Sequence, residues 1–319
     1  MARIILIEGF PGSGKSTTAQ FIARLLARRG GRARWIYEGE VPNPLVPTAP
    51  ASGYESWEQF ADIRVERWRA FAAAARDHDV TIIPESALLQ LPVFTMLRRN
   101  VDPPIITGLV DRLAEAVAPL RPRLVYLARR DPEAAFRTIG ERRGLSWLLH
   151  HAGSSEGYTF TQARGLSGFD GLLAYWRAHA ELCDAIVKAI DVPKLVLDVG
   201  PDGWAERRRR ICDFADVPFE DEPAPGAAEL ERIAGRYGDG RREMTVEMVD
   251  GRLVARWTLW LTNALLPVRR NVFDLESSPV RVSFETDAAG HVHAFHCSGP
   301  RLAWDAPPGV FKRIATSSP

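Results

Sequence analysis

Residues 9–16 read Gly9-Phe10-Pro11-Gly12-Ser13-Gly14-Lys15-Ser16 and match the spacing G-x-x-x-x-G-K-[ST]. That spacing can hold a triphosphate. Gly9, Gly12 and Gly14 permit torsions and close approaches that a side chain would block. The loop, running through Pro11 and Ser13 to Thr17, turns N–H groups inward as an anion nest at the positive end of a helix. Lys15 reaches the outer phosphates, and the Ser16 hydroxyl ligates a divalent cation. ATP and Mg²⁺ are the expected cofactors.

Such a loop works only between a strand and a helix. Ile4 to Ile7 is a short apolar run, as in a buried parallel strand. Thr17 to Arg29 carries Ile22, Leu25 and Leu26 on one helical face and stops at Gly30-Gly31. Strand two is expected over Ala33 to Tyr37, strand three over Val80 to Ile83, strand four over Leu124 to Leu127 and strand five over Leu195 to Leu197. Helices are expected over Ser56 to Asp77, Asp111 to Val117, from Asp131-Pro132-Glu133 onward, and Leu172 to Ile190. Four prolines between Val41 and Pro50 favour an extended loop. The glycine-rich stretch Gly144 to Gly168 reads as a mobile loop. Alternating strands and helices imply a parallel sheet covered on both faces.

Composition changes near Val217. Residues 217–228 include the acidic, proline-rich run Pro218 to Gly226 and read as a linker between a domain over 1–216 and another over 229–319. Strand-forming runs follow at Met244 to Val249, Leu253 to Leu259, Val280 to Phe284 and His291 to Phe295, with Asp250-Gly251 as a hairpin turn. A small antiparallel all-β domain is expected there. The net charge is +1, which gives no global field for nucleic acid or anionic lipid. The 46% hydrophobic content supports a sizeable core. Three widely spaced cysteines and the lack of a signal-peptide core or membrane-length apolar run suit a cytoplasmic protein acting on a small molecule, with no nucleic-acid or membrane partner.

Five pieces of residues 1–200 resemble P-loop kinases of the thymidylate and deoxynucleoside kinase group, and antibiotic phosphotransferases share that core. They are Ile7 to Ala19 (IEGFPGSGKSTTA), the acidic cluster from Glu38 (EGEVPNP), Ile82 to Ser86 (IIPES), Leu124 to Gly144, and the long helix leading into Leu195 to Val199. Glu38-Gly39 stands where that group carries Glu-Pro, and Ser86 where an Arg is usual. The resemblance implies a P-loop kinase-like three-layer α/β fold with a parallel five-stranded sheet. It also implies ATP-dependent phosphoryl transfer to a hydroxyl of a nucleoside or antibiotic-like metabolite.

Phosphoryl transfer asks a protein mainly to position groups and neutralise charge. Glu85, after the apolar run of strand three, suits the metal's water shell beside Ser16. An acceptor hydroxyl needs a carboxylate within reach. Glu38 and Glu40 both end strand two, at the carboxyl edge where open α/β sheets bind ligands; the resemblance favours Glu38, and spacing leaves the choice open. It also implies an arginine-bearing lid, with Arg137, Arg142 and Arg143 as candidates, and an acceptor pocket near Arg64, Arg67 and Trp68; packing against the sheet is the stronger reading of Trp68, and stacking on an acceptor the weaker. A nucleoside monophosphate kinase, drawing on Arg64, Arg67 and Arg98, is the first alternative. A nucleotide-dependent switch with a partner on the β domain is the second. For the β domain, dimerisation and covering the acceptor site are the open roles. His291, His293, His296 and Cys297 read as a solvated strand face, with His296 opposite the other two histidines. Arg207 to Arg210 reads as a solvated helix face.

Overall fold

Arg3–Gly9 forms β1, with Ile4 and Leu6 on one face and Ile5 and Ile7 on the other, all buried. Two apolar faces require cover on both sides of a sheet. The computed structural model describes residues 2–46, 53–129, 131–200, 203–221, 226–257, 262–303 and 309–314, and helices supply that cover. In chain order there follow α1 (Lys15–Arg28), β2 (Ala33–Ile36), α2 (Trp57–Ala75), β3 (Thr81–Pro84), α3 (Gln90–Leu97), α4 (Pro103–Ala116), β4 (Arg123–Ala128), α5 (Pro132–Arg143), α6 (Leu145–Ser155), α7 (Thr159–Gln162), α8 (Gly168–Ala189), β5 (Lys194–Asp198) and α9 (Trp204–Ala215). The five strands are parallel in the order β2-β3-β1-β4-β5. One face packs Ile4, Leu6, Leu124 and Tyr126 against α2, α3, α4 and α8. The other packs Ile5, Ile7, Val125 and Leu127 against α1 and α9. This is the P-loop kinase-like three-layer arrangement. Among the described residues, no helix is long and apolar enough to cross a membrane.

Local chemistry sets the helix starts. Ser56 caps α2 by accepting from Gln59 N at 3.1 Å, and Asp131 caps α5 by accepting from Ala134 N at 2.9 Å. Three expectations need correction. Residues 145–155 and 159–162 are helical rather than loop. Trp147, Leu148 and Ala152 recur at helical spacing and pack on the core, while Gly144 only bounds the element at φ 90°. Helix α4 begins eight residues before Asp111, because Pro103 and Pro104 occupy first-turn positions where a missing N–H costs nothing. Helix α3 has no counterpart in the sequence reading, since Pro92 sits inside its first turn.

The second unit holds residues 39–42 together with 220–319. Val41 N donates to Arg301 O at 2.8 Å, and Ala303 N to Gly39 O at 2.9 Å. After α10 (Ala227–Glu231) come β6 (Gly235–Gly238), β7 (Glu243–Val249), β8 (Arg252–Trp257), β9 (Thr262–Arg269), β10 (Val272–Leu275), β11 (Arg281–Thr286), β12 (Val292–Ser298) and β13 (Gly309–Arg313). They close into an antiparallel barrel in the order β10-β11-β12-β13-β6-β7-β8-β9. Tyr237, Phe273, Phe284, Phe295 and Phe311 fill it, with the Phe295 and Phe311 rings stacked at 4.9 Å. Asp250 and Gly251 turn the β7–β8 hairpin at φ 49° and 74°, as the Asp-Gly pair predicts.

The histidine run also needs correction. Between Glu285 and Thr286 the β11–β12 register shifts, leaving His293 as an extra residue. The bulge breaks the alternation, so His293 and His296 both reach Glu285, at 3.4 and 2.7 Å. No group of three or more metal-ligating side chains suited to an ion occurs among the described residues.

Candidate active site

The strand–loop–helix turn over residues 9–17 is shaped by contacts that exclude side chains. A Cβ on Gly9 (φ 151°) would strike the Leu127 carbonyl of the neighbouring strand, and one on Gly12 (φ 71°) would come within 2.7 Å of Ile139. Gly14 (φ 92°) has open space where its Cβ would be and is the left-handed N-cap of α1. No side chain caps α1, and its first turn carries no acidic residue. The positive end of such a helix favours an anion. Lys15, buried in the same turn, donates from Nζ to Phe10 O at 3.0 Å. Ser13 Oγ is buried and has no hydrogen-bond partner. Pro11 and Thr17 lie on the same loop and first turn.

Two carboxylates meet this loop at the carboxyl edge of the sheet. Ile7 pairs with Glu85 directly after β3, which brings Ser16 Oγ to donate to Glu85 Oε1 at 3.0 Å. Burial pushes Glu85 up to about 8; the Glu38 charge adds to the rise and Lys15 opposes it. Glu85 Oε2 is buried without a hydrogen-bond partner among the described residues. A hydroxyl and a carboxylate with one oxygen unsatisfied form a donor set that fits a hard divalent cation. The next residue, Ser86, sits at φ 59°, a strained conformation for a side chain other than glycine.

Glu8 is a residue the sequence reading did not assign. It continues the Ile4–Leu6 face of a strand buried on both sides, so its charge needs partners, and that was the available signal. Its Oε1 accepts from Leu88 N at 2.6 Å and its Oε2 from Gln90 N at 3.1 Å. Burial still lifts it to about 7, against those N–H groups and Lys15. Glu8 thereby fixes the segment between β3 and α3. Gln90, at the start of α3, extends Nε2 to Glu38 Oε2 at 3.5 Å.

The other assigned residues fall differently. Glu40 is buried, forms a backbone bridge with Leu302 and belongs to the second unit, while Glu38 belongs to the first. Trp68 is a correction: it is fully buried and its Nε1 donates to Leu45 O at 2.9 Å, so neither ring face is open to a ligand. Arg67 Nε donates to Pro44 O at 3.0 Å and anchors the proline loop. Arg64 is also buried; among the described residues its hydrogen bond is a long one to Ala87 O at 3.4 Å, and burial lowers its guanidinium to about 10. Arg98 stands over the Phe94 ring at 5.1 Å. Arg137 is exposed and paired with Glu133 at 2.6 Å. Arg142 and Arg143 end α5, and their side chains lie outside the described residues. The arginine run of α9 is not simply solvated. Arg208 lies 4.3 Å over Phe21 and 5.1 Å over Trp204, and Arg209 lies 5.2 Å over Phe219.

Sheet order and loop together place the first unit in the P-loop kinase-like fold class. No protein-family model matches the sequence, and no curated protein does. Solved structures similar to it include the thymidylate kinase of Candida albicans, at 14% identity over 67% of this chain and 91% of that one, TM-score 0.40. The deoxyadenosine kinase of M. mycoides, solved with bound dATP, is 18% identical over 67% and 99%, TM-score 0.39. The shikimate kinase of Bacteroides thetaiotaomicron is 13% identical over 67% and 98%, TM-score 0.33.

Proposed function

We propose that the chain is an ATP- and Mg²⁺-dependent phosphotransferase acting on a hydroxyl of a small molecule. The observation that carries this reading is the meeting of Ser16, Glu85 and Glu38 at the carboxyl edge of the sheet beside the loop. Loop amides and Lys15 would hold the donor's phosphates. Ser16 and Glu85 would hold Mg²⁺, which when bound neutralises charge on the phosphates. Glu38 would accept the proton of the acceptor hydroxyl as its oxygen bonds to the γ-phosphorus, while the bond from that phosphorus to the bridging oxygen breaks and ADP departs. Arg137, Arg142 and Arg143 are the candidates to cover the moving phosphoryl group.

The test is transfer from ATP across nucleosides, nucleotides and hydroxylated antibiotics, read as acceptor-dependent ADP formation. An acceptor that raises ADP formation well above the water rate supports the reading. A broad library giving none, with Mg·ATP binding intact, defeats it. Arg64 favours a second reading, an acceptor that is itself anionic, such as a nucleoside monophosphate. Its guanidinium is buried, and Nε has no hydrogen-bond partner. A buried cation without an ion pair is costly until an anion joins it. Comparing nucleosides with their monophosphates separates the two.

A further inference from the structure

We propose that Gln90 is a second acceptor-binding group, and that the site selects a hydroxyl flanked by another hydrogen-bond donor, as in a vicinal diol or an amino alcohol. This assignment rests on the phosphotransferase reading above. Gln90 is held at both ends of its backbone. Its N–H donates to Glu8 Oε2 at 3.1 Å, and its carbonyl faces His179 Nε2 at 3.4 Å. His179 is itself buried in α8. The side chain therefore starts from a fixed point at the head of α3.

Its carboxamide is oriented by charge. Nε2 lies 3.5 Å from Glu38 Oε2, and the reverse placement would set an amide oxygen against that carboxylate. Orienting Nε2 in this way leaves Oε1 buried with no hydrogen-bond partner among the described residues. Ser86 Oγ, four residues earlier on the same segment, is also buried without one. Buried amide and hydroxyl oxygens are almost always partnered in folded proteins. Two of them lie on the segment from Ser86 to Gln90, whose Gln90 end reaches Glu38, and they are polar atoms that the described residues leave unmet. An acceptor whose reacting hydroxyl meets Glu38 lies alongside the carboxamide, and a donor on its adjoining carbon completes Oε1. An acceptor with one isolated hydroxyl leaves Oε1 unsatisfied and binds more weakly for that reason.

The test is calorimetric titration of the full chain, saturated with ADP and Mg²⁺. The probes are sugars, aminosugars and ribonucleosides, each paired with the monodeoxy analogue lacking one of two neighbouring hydroxyls. In the wild type the best intact probe binds about 10-fold or more tighter than its analogue. In Gln90→Met that ratio falls below about 3-fold. A general loss of structure would weaken both members of a pair and leave the ratio unmoved. An unchanged ratio in Gln90→Met, or no probe bound by the wild type, overturns the assignment. Should Gln90→Met fail to fold, a wild-type ratio under about 3-fold overturns it by itself. A wild type that does not bind Mg·ATP overturns the phosphotransferase reading instead.

Discussion

Lys15 donates to the loop and partly offsets the burial that raises the pKa of both Glu8 and Glu85. Its removal takes away the proposed donor to phosphate and the positive charge beside those carboxyls. Lys15→Ala should weaken Mg·ATP by about 10–100-fold, the range of one charge-assisted hydrogen bond, measured by calorimetry. At Glu85 the folded pKa of about 8 lies above the model-peptide value of 4.5. The folded ligand-free state therefore binds the proton more tightly than the unfolded state does. Its stabilising contribution is complete below the unfolded value and is lost as pH rises through about 8. Glu85→Gln cannot ionise. Ligand-free Glu85→Gln should gain in melting temperature relative to wild type as pH rises from 5 to 9, with the gap levelling off above about 8. A gap constant with pH would contradict the burial of an ionisable group there. Glu8→Ala leaves the Leu88 and Gln90 N–H groups without acceptors, at about 1–3 kcal/mol each. Its melting temperature should drop, and acceptor affinity should suffer more than nucleotide affinity.

At the scale of elements, Trp68 shows how packing against the sheet outweighs stacking on a ligand. It lies on the face of α2 that packs on the sheet, and its indole N–H ties α2 to the loop after β2. Trp68→Ala should destabilise the fold by about 3–5 kcal/mol in urea melts, through the cavity it leaves. Trp68→Phe should leave acceptor affinity unchanged. The phosphate loop was legible in the sequence because backbone geometry dictates its glycines: Gly9 meets a neighbouring carbonyl and Gly12 a neighbouring side chain. Strands β1, β3 and β4 were legible because burial on both faces leaves continuous apolar runs. The helices over 145–155 and 90–97 were not. In α6 the glycines at the ends outweighed the helical spacing of Trp147, Leu148 and Ala152, and in α3 a proline masked the first turn. The clamp from Glu8 to residues 88 and 90 spans 80 positions of chain, so no local pattern announces it. Barrel closure was hidden for the same reason. Strand β13 pairs with β6 across some seventy residues, and the bulge at His293 shifts a register that alternation alone would have kept.

Across the whole molecule, the chain divides into two units with separate cores, one sheet-centred and one an aromatic-filled barrel. A nucleotide bound in the first stabilises the first. Scanning calorimetry should therefore show one transition that rises with Mg·ADP, by about 2.7 kcal/mol at a hundredfold excess over the dissociation constant. A second transition should not follow the nucleotide. A single transition insensitive to Mg·ADP would contradict the placement of the site. The most direct measurement is titration of Mg·ATP into the folded wild-type chain. The account predicts one molecule bound per chain, with affinity weakened about 10–100-fold in Lys15→Ala while the circular-dichroism spectrum is kept. No binding heat at any temperature from well-folded protein, or equal affinity in both proteins, would contradict it.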